Sequence, residues 1–453
     1  MHDTHDTNQP WGGNTVDIAD VESRCKEYEI RTIECVFPDA QGLPRGKRIP
    51  TNPFLDTAFR GFELANAALV WSRQCDVIQN ISYTNFDTGY PDMVAVPDLD
   101  SFRPVPWHPG AASVICDCVE PDGAQVAVST RRILKDVVAE ARSLGFEPHV
   151  GAELEFYLLD AAGRPLYDAI DCYSLTRGAT LEPFMARLRD DLAAMGVVIE
   201  ACNTEYGPAQ VEMNMRYGDA LHAADDALRF KMAVKEIAAQ MGYRATFMAK
   251  PLPGQSGSGF HLHQSLGDVD SGTNVFAGTA PTDVETGLMG HYLAGLLAHM
   301  PAITALGSPT INAYKRIEDH SFAPLHACWG MDNRTVGIRV IAGHGAANRL
   351  EWRAGAADAN PYLIIAACIA AGLDGVKRRL TPPSRVSGDA YARHDLPLLP
   401  ASFDAALELL EHDTFLGELL GAFREVFVAL GRHELALWRT AVTDWERARY
   451  IDA

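Results

Sequence analysis

The pattern of apolar and polar positions changes near residue 110, and this change predicts two structural units. Residues 16–29 have the pattern of a helix, and residues 30–37 (IRTIECVF) alternate like a strand before the turn residues PDAQG. A short strand near residues 47–49 is expected to pair with the first strand. Proline and glycine then cluster in FRPVPWHPG, residues 102–110, where we place a domain boundary.

Beyond this boundary, strand-like segments alternate with amphipathic helices. Ser129 is placed to cap one helix, and a second helix is expected to stop at Gly196. The segments HVGAELEFYLL, VVIEAC and QVEMNMR read as strands, and helices dominate from residue 360. The expected class is α+β. The chain is expected to comprise a loose tail (1–15), a small β-rich N-terminal domain (16–109) and a large domain (110–453) built on an antiparallel sheet.

The composition argues against several classes of protein. The 453 residues include 59 acidic and 39 basic side chains, and the formal net charge of −20 offers no basic surface to nucleic acid or anionic membranes. The N-terminus lacks the apolar segment of a signal peptide, and the longest apolar run, 362–373, is too short to span a bilayer. The nine cysteines form no CxxC pair, which is typical of reduced thiols. We therefore expect a cytoplasmic protein.

Acidic residues recur at spacings that suit a metal site. Glu153 and Glu155 are two apart in a strand, so both carboxylates point to the same face. In a half-buried strand they would repel each other and lose hydration, and a bound cation would relieve both effects. For this pair alone, an exposed outer face is the simpler interpretation. Glu205 and Glu212 flank YGPAQV, whose Gly-Pro turn can bring both carboxylates to one rim.

Histidines and arginines complete the pattern. His261 and His263 alternate along a strand directly after the glycine-rich GQSGSG, although a lone HxH is more often a hydrogen-bonded core pair. Glu351 shares a strand face with Arg353. Oxygen-rich ligation suits Mg²⁺ or Mn²⁺ more than zinc or copper, and arginines bind phosphate and carboxylate groups. The arginines are Arg316, Arg334, Arg339, Arg349 and Arg353. The set predicts phosphoryl transfer, without a P-loop or a Rossmann fingerprint.

At this point the motifs resemble a known family. AELEFYLL, the two glutamates around YGPAQV, KPLPGQSGSGFHLHQSL, NAYKR, NRTVGIRV, NRLEWR and ANPYLIIAACIAAGLDG stand in the order found in class I glutamine synthetases. The resemblance extends from about residue 17 to the C-terminus. It implies a β-grasp-like N-terminal domain and a catalytic domain with a curved antiparallel sheet flanked by helices. It further implies two stacked six-membered rings, a dodecamer with active sites between neighbouring subunits of a ring.

The resemblance also implies the ligands of the active site, which are ATP, glutamate and two or more Mg²⁺ or Mn²⁺ ions. One metal, near glutamate, would be held by Glu155, Glu205 and Glu212, and the other, near the phosphates, by Glu153, His261 and Glu351. The residues that would bind ATP, its phosphates and the transferring group are His263, Ser265, Arg334, Arg339 and Arg349.

The remaining assignments concern glutamate and the nitrogen donor. Arg316 and Arg353 resemble the pair that grips the α-carboxylate, and Gly257 lies on the loop that approaches the substrate. Asp39 resembles the aspartate that reaches into the adjoining subunit's ammonium pocket, and Tyr167 resembles the tyrosine of that pocket. The resemblance therefore implies that Asp39, Glu212, Arg334 and Arg339 act in catalysis.

Two departures from the family pattern bear on the substrate. Phe322 stands where ammonia-using members carry a flap glutamate, and an aromatic side chain cannot take a proton. Ser256 replaces the usual asparagine of the glycine-rich loop. We therefore expect ligation of glutamate to a larger amine, such as a polyamine, ethanolamine, an alkylamine or aniline. The alternatives are a glutamine synthetase that uses ammonia, and a non-catalytic scaffold or sensor.

The amine itself stays open at the level of sequence. An alkylamine must lose a proton before it attacks γ-glutamyl phosphate, and the bases to consider are Asp39, Glu212, Glu318 and Asp319. Phe322 could stack on an aromatic amine, whereas an acidic flap would suit a cationic polyamine. These two suggestions conflict.

Overall fold

The structure, a computed structural model, describes residues 16–170 and 172–453, so the tail predicted for residues 1–15 lies outside the described residues. The fold is α+β, as the sequence predicts. The strands of its first sheet are β1 (Thr32–Pro38), β2 (Pro44–Pro50), β3 (Phe62–Ala65), β4 (Asp92–Pro97), β5 (Arg103–Pro104) and β6 (Ala111–Val119). The strands of its second sheet are β7 (Phe146–Leu159), β8 (Ile199–Thr204), β9 (Gln210–Met215), β10 (Gly218–Asp219), β11 (Arg244–Thr246), β12 (Phe260–Asp268), β13 (Trp329–Met331), β14 (Ile338–Ile341) and β15 (Arg349–Trp352).

Helices flank both sheets and dominate the C-terminal part of the chain. In chain order they are α1 (Ile18–Glu27), α2 (Thr51–Asp56), α3 (Thr130–Ser143), α4 (Leu175–Gly178), α5 (Glu182–Met195), α6 (Ala220–Gln240), α7 (Leu288–Gly307), α8 (Pro361–Arg378), α9 (Phe403–His412), α10 (Thr414–Leu420), α11 (Phe423–Thr440) and α12 (Asp444–Tyr450). Ser129 does cap α3 by position, although its side chain makes no capping hydrogen bond, and α5 ends at Gly196 in the left-handed conformation.

The first sheet runs past the boundary predicted at residue 110. Its strand order is β2-β1-β6-β4-β3, with β5 beside β6. The predicted pairing of β1 with β2 is confirmed, and β6 lies parallel to β1 on its other side. The Pro- and Gly-rich segment 102–110 thus lies within the sheet, since it contains β5 and the turn that leads to β6. At the end of this turn, Arg31 donates its backbone N–H to the carbonyl oxygen of Gly110 over 2.8 Å. The strand that follows this turn belongs to the N-terminal sheet.

The second sheet carries the polar motifs. Its order is β13-β14-β15-β12-β7-β9-β8, and β10 and β11 also pair with the 14-residue β7. All pairs are antiparallel except β13 with β14. Helix α8, which contains the apolar run, is buried along almost its whole length against the core. Among the described residues, no helix combines the length and the apolar character that a membrane crossing requires.

A buried ion network joins the first sheet to helices α3 and α6. The Arg131 guanidinium lies 2.6 Å from Asp117, 2.8 Å from Asp98 and 2.9 Å from Asp225. Asp117 lies on β6 and Asp98 directly follows β4, whereas Asp225 is on α6. Since removal of one partner would leave a buried charge uncompensated, the network holds α3 and α6 against the first sheet.

Candidate active site

The strand register of the second sheet gathers the predicted polar residues on one face. Because neighbouring strands pair residue by residue and side chains alternate, directly opposed residues share a face. The opposed pairs are Glu155 with Glu212, Glu153 with His261, Glu153 with Asn214, His263 with Glu351 and Arg339 with Glu351. Motifs far apart in sequence thus form one polar surface.

A cavity of about 450 Å³ opens over this surface. The predicted site residues that line it are Glu153, Glu155, Glu205, Glu212, Gly257, His261, Arg316, Phe322, Arg334, Arg339, Glu351 and Arg353. It also contains Ser256 and Ser321, and two tyrosines that the sequence analysis did not single out, Tyr173 and Tyr206. The cavity therefore unites most of the residues assigned to metal, glutamate and phosphate.

Glu153, His261 and Glu351 form a group that fits a metal ion, since one ligand atom from each lies within 4.8 Å of the others. His261 Nδ1 is 2.7 Å from Glu153 Oε1 and 3.8 Å from Glu351 Oε1. The other ring nitrogen, Nε2, is buried and finds no hydrogen-bond partner among the described residues. Asn214, opposite Glu153, donates its amide to Glu153 Oε2 over 2.5 Å and so orients that carboxylate. Two carboxylates and an imidazole are a donor set that suits Mg²⁺ or Mn²⁺.

Neighbouring arginine and histidine side chains keep both carboxylates of this group, Glu153 and Glu351, ionised. Burial alone would raise the pKa of Glu351, but Arg353 and His261 outweigh it and hold the pKa at about 2. Arg353 contacts Glu351 Oε1, and Arg339 lies 3.0 Å from Oε2. Burial likewise opposes ionisation of Glu153, yet hydrogen bonds from His261 and His263 keep its pKa well below the usual range. Both carboxylates are therefore in the form that binds a cation.

In the second group of carboxylates, Glu155, Glu205 and Glu212, burial and the neighbouring negative charges raise the pKa values of Glu205 and Glu212. Burial and Glu155 raise the pKa of Glu205 to about 7. Burial, Glu153 and Glu155 raise the pKa of Glu212 to about 10. Glu155 itself accepts a backbone N–H from Gly259 over 2.8 Å and the Gln210 amide over 3.1 Å. Clustered carboxylates that repel one another are relieved by a divalent cation, so this group also fits a metal ion.

Two buried arginines face the cavity with unused donors. Arg316 and Arg353 are each 5% exposed. Within the part of the chain that the structure describes, neither Arg316 Nη1 nor Arg353 Nε has a hydrogen-bond partner. A buried guanidinium N–H without an acceptor is costly unless a ligand supplies one. A carboxylate accepts two such donors side by side, which makes the pair a carboxylate-binding site.

Two glycines allow the loop before β12 to lie against Arg316. A Cβ on Gly257 would be 2.4 Å from Arg316 Cγ. A Cβ on Gly259 would be 2.8 Å from His261 Nε2 and 2.9 Å from Arg316 Nη2. The sequence analysis identified Gly257 but missed Gly259, whose only sequence signal was the glycine-rich stretch itself.

Three of the residues that the resemblance assigns to ATP lie outside the cavity, on the same face of the second sheet. Arg349 donates through Nε to His263 Nδ1 over 3.2 Å, and His263 Nε2 lies 3.5 Å from Glu153 Oε2. Ser265 follows two residues later on β12, where alternation places it on the same face as His263. These three residues border the cavity without lining it.

Asp39 and Tyr167 are not brought to the cavity of this subunit. Asp39 is fully buried and accepts hydrogen bonds from the backbone N–H groups of Gln41 and Leu43. Its Oδ2 also forms an ion pair with Arg45 Nε at 2.9 Å. These bonds hold the turn between β1 and β2. Tyr167 is half-buried against the hydrophobic core. Their expected place in an amine pocket shared between subunits stays a prediction.

The comparisons with known proteins agree with this geometry. A family model described as glutamine synthetase, catalytic domain, matches residues 127–450. A glutamate–isopropylamine ligase from a Pseudomonas species is 35% identical over 97% of this chain and 99% of its own. A γ-glutamylethanolamide synthetase, GlnA4, from Streptomyces coelicolor is 36% identical over 94% of this chain and 93% of its own.

More distant matches and solved structures point the same way. Glutamine synthetase from Thermotoga maritima is 32% identical over 96% of this chain and 99% of its own. A solved structure of GmaS without ligand has a TM-score of 0.85 at 30% identity, covering 96% of this chain and all of that one. The chain therefore belongs to the glutamine synthetase family and resembles its glutamate–amine ligase branch.

Proposed function

We propose that this protein is an ATP-dependent ligase that joins the γ-carboxylate of L-glutamate to an organic amine through γ-glutamyl phosphate, giving a γ-glutamylamide. The observation that carries the proposal is the presence, in one cavity, of a metal-fitting group and a pair of buried arginines with unused donors. The names of two similar proteins, a glutamate–isopropylamine ligase and a γ-glutamylethanolamide synthetase, support the same reaction class.

The residues that would hold the cofactors follow from the donor sets. Glu153, His261 and Glu351 would bind one Mg²⁺ or Mn²⁺ ion, and Glu155, Glu205 and Glu212 a second. Such ions neutralise charge on the phosphates during phosphoryl transfer. A solved GmaS structure of the same fold is a complex with ADP, which supports a nucleotide as the other cofactor. The nucleotide would meet Arg334 and Arg339 in the cavity, and His263, Ser265 and Arg349 beside it.

The protein's own side chains bind and orient the acid. Arg316 and Arg353 would grip the α-carboxylate of glutamate through their unused N–H groups, which directs the γ-carboxylate toward the metal-fitting groups. The γ-carboxylate oxygen attacks the γ-phosphorus of ATP, and ADP leaves. Arg334 and Arg339 line the cavity and are placed to neutralise the phosphoryl oxygens as negative charge develops.

In the second step the amine nitrogen forms a bond to the γ-carbonyl carbon, inorganic phosphate leaves, and one proton passes to a base. Of the carboxylates considered from sequence, Glu212 lines the cavity, whereas Glu318 and Asp319 do not. Asp39 is expected to act in the site of an adjoining subunit, so its place within its own subunit does not bear on that role. We therefore keep two bases in the proposal. They are Asp39 of an adjoining subunit and Glu212, which lies opposite Glu155 on β9 and can take a proton only after it has lost its own.

Several features implied by the family remain part of this proposal. They are a β-grasp-like N-terminal domain, stacked six-membered rings with active sites between subunits, a cytoplasmic location and a part in amine breakdown. A glutamine synthetase that uses ammonia is the second candidate, because glutamine synthetases are also similar over nearly the whole chain. Phe322 in the cavity argues against it, since a phenyl ring replaces a flap carboxylate.

The test is formation of γ-glutamyl hydroxamate from glutamate, ATP, Mg²⁺ or Mn²⁺ and hydroxylamine, followed by phosphate release with a series of amines. Hydroxylamine traps the activated γ-carboxyl whatever the natural amine is. Hydroxamate formation together with a preference for an organic amine supports the proposal. A preference for ammonium would identify a glutamine synthetase, and no product with any nucleophile would favour a non-catalytic member of the family.

A further inference from the structure

Two aromatic rings meet at one side of the cavity, and the backbone carbonyl oxygen of one of them, Phe322, lies 3.5 Å from Arg353 Nη2. The ring centroids of Phe322 and Tyr206 are 5.7 Å apart, with an angle of 31° between the ring planes. Both residues line the cavity, and both are about half exposed, at 44% and 49%. Tyr206 directly follows Glu205, one of the clustered carboxylates. The rings therefore present an exposed apolar surface beside the acidic part of the site.

The segment that carries Phe322 is held in a fixed conformation. Phe322 has a φ of +60°, which is uncommon for a residue with a large side chain and must be maintained by neighbouring contacts. Ser321 donates its hydroxyl to the carbonyl oxygen of Glu318 over 2.6 Å, and the carbonyl oxygen of Arg316 lies 3.2 Å from the same hydroxyl. Tyr391 donates its hydroxyl to the carbonyl oxygen of Ala323 over 2.9 Å. These bonds on both sides position the phenyl ring toward the cavity and connect it to Arg316, which we assign to glutamate.

The carboxylates of the same segment are engaged elsewhere. Lys250 Nζ lies 2.9 Å from Glu318 Oε2, and His320 Nδ1 lies 3.0 Å from Asp319 Oδ1. Neither Glu318 nor Asp319 lines the cavity. A polyamine bound here would place its second ammonium group against aromatic rings with no flap carboxylate to pair with it. The acidic flap, which in the sequence suggested a polyamine, therefore provides no partner for one.

We propose that Phe322 and Tyr206 form the seat for the apolar substituent of a small primary monoamine, and that this seat selects such an amine over both ammonium and polyamines. The inference rests on the proposed ligase function and names its substrate class. Ammonium has no substituent to fill the seat, so it gains nothing from the rings. A short alkyl group removes the exposed ring surface from water, and its own surface as well. The two rings contact each other, so the substituent lies against them and not between them.

The experiment compares kcat/KM for isopropylamine, ammonium and putrescine in the full-length protein. The variants are Phe322→Ala, Tyr206→Ala and Tyr206→Phe. A matched control is Phe86→Ala, because Phe86 is an exposed phenyl group paired with a tyrosine, Tyr90, at 5.3 Å and lies outside the cavity. The hydroxylamine reaction, measured in every variant, reports activation of glutamate without the amine substituent.

We expect wild-type protein to prefer isopropylamine to ammonium and putrescine. Phe322→Ala and Tyr206→Ala should each lower the ratio of kcat/KM for isopropylamine to that for ammonium by about tenfold, with the KM for glutamate unchanged. Tyr206→Phe and Phe86→Ala should keep the wild-type ratio. An unchanged ratio in both alanine variants, or a wild-type preference for putrescine, would overturn the inference while hydroxamate formation still supported the ligase. Absence of hydroxamate in wild-type protein would overturn the ligase proposal and this inference with it.

Discussion

Glu155 and Glu212 lie directly opposite each other on the antiparallel strands β7 and β9, with Glu153 two residues along on the same face. Like charges opposed across a strand pair destabilise a sheet unless something neutralises them. Burial and the neighbouring glutamates raise the pKa of Glu212 to about 10, so without metal this side chain keeps its proton near neutral pH. The unfolded chain would release that proton, and the difference weakens the fold.

Replacement of Glu212 by glutamine should therefore stabilise the metal-free protein. At pH 7.5 in EDTA, Glu212→Gln should raise the free energy of unfolding by about 1–3 kcal/mol, because an amide needs no proton to be neutral. With saturating Mn²⁺ the order should reverse, because the variant loses a ligand and gains less stability from the ion. Thermal unfolding with and without Mn²⁺ measures both effects. Glu200→Gln, an exposed glutamate on β8, is the control and should change neither value. Lower stability of Glu212→Gln in EDTA would contradict the electrostatic account.

The unused donors of Arg316 predict a specific defect in glutamate binding. Arg316→Lys keeps the positive charge but removes the paired N–H geometry, so the KM for glutamate should rise about 10- to 100-fold while the KM for ATP stays near its wild-type value. Steady-state kinetics with each substrate varied in turn separates the two. The control is Arg393→Lys, since Arg393 pairs with Asp395 at the surface, outside the cavity. If the KM for ATP rose instead, Arg316 would belong to the nucleotide site.

Gly259 should tolerate no side chain. In Gly259→Ala the added Cβ would press on His261 Nε2, Arg316 Nη2 and Glu155 Oε1, at 2.8, 2.9 and 3.2 Å, and displace residues of the metal and glutamate sites together. A shift of that kind should lower kcat/KM about 100-fold. The matched control is Gly278→Ala, where a Cβ would meet nothing within 4 Å. Near-normal activity of Gly259→Ala would mean that these groups do not act in the geometry described.

The sequence alone predicts which side chains share one face of a strand, but it does not predict which strands pair with each other in the sheet. Alternation alone places Glu153 with Glu155 and His261 with His263, because the side-chain period of a strand is fixed. Which glutamate opposes which depends on the pairing of β7 with β9 and β12, and that pairing joins segments about 60 and 110 residues apart through the packing of the whole sheet. In the sequence analysis, the resemblance to a known family indicated which of these distant residues belong to one site.

Two other features were beyond local patterns. The Pro- and Gly-rich segment 102–110, where the sequence predicts a domain boundary, lies between strands of the first sheet, because β6 follows it and pairs with β1. The contact of Tyr206 with Phe322 joins residues 116 positions apart and depends on the left-handed φ of Phe322. A phenylalanine at this position gives no sequence signal for a positive φ. Both were decided by tertiary contacts that a single segment does not encode.

His299 predicts how stability depends on pH away from the active site. Its Nε2 lies 3.0 Å from Asp374 on α8 and its Nδ1 lies 4.0 Å from Asp413 at the start of α10, while the ring stacks on Phe415 with centroids 3.9 Å apart. Arg378 also pairs with Asp374, at 2.9 Å. Burial lowers the pKa of His299, but the two aspartates outweigh burial and raise it above the ordinary 6.5.

A raised pKa means that the folded state binds the proton more tightly than the unfolded state does. The contribution of His299 to stability should therefore be fully present below pH 6.5 and disappear as the pH rises through the folded-state value. His299→Gln should cost about 1–3 kcal/mol at pH 6 and progressively less toward pH 8.5. Urea unfolding across this range measures the difference, with His412→Gln, an exposed histidine at the end of α9, as the control. A difference between wild type and His299→Gln that grew with pH would show that His299 is neutral in the fold, so that packing against Phe415 is its main contribution.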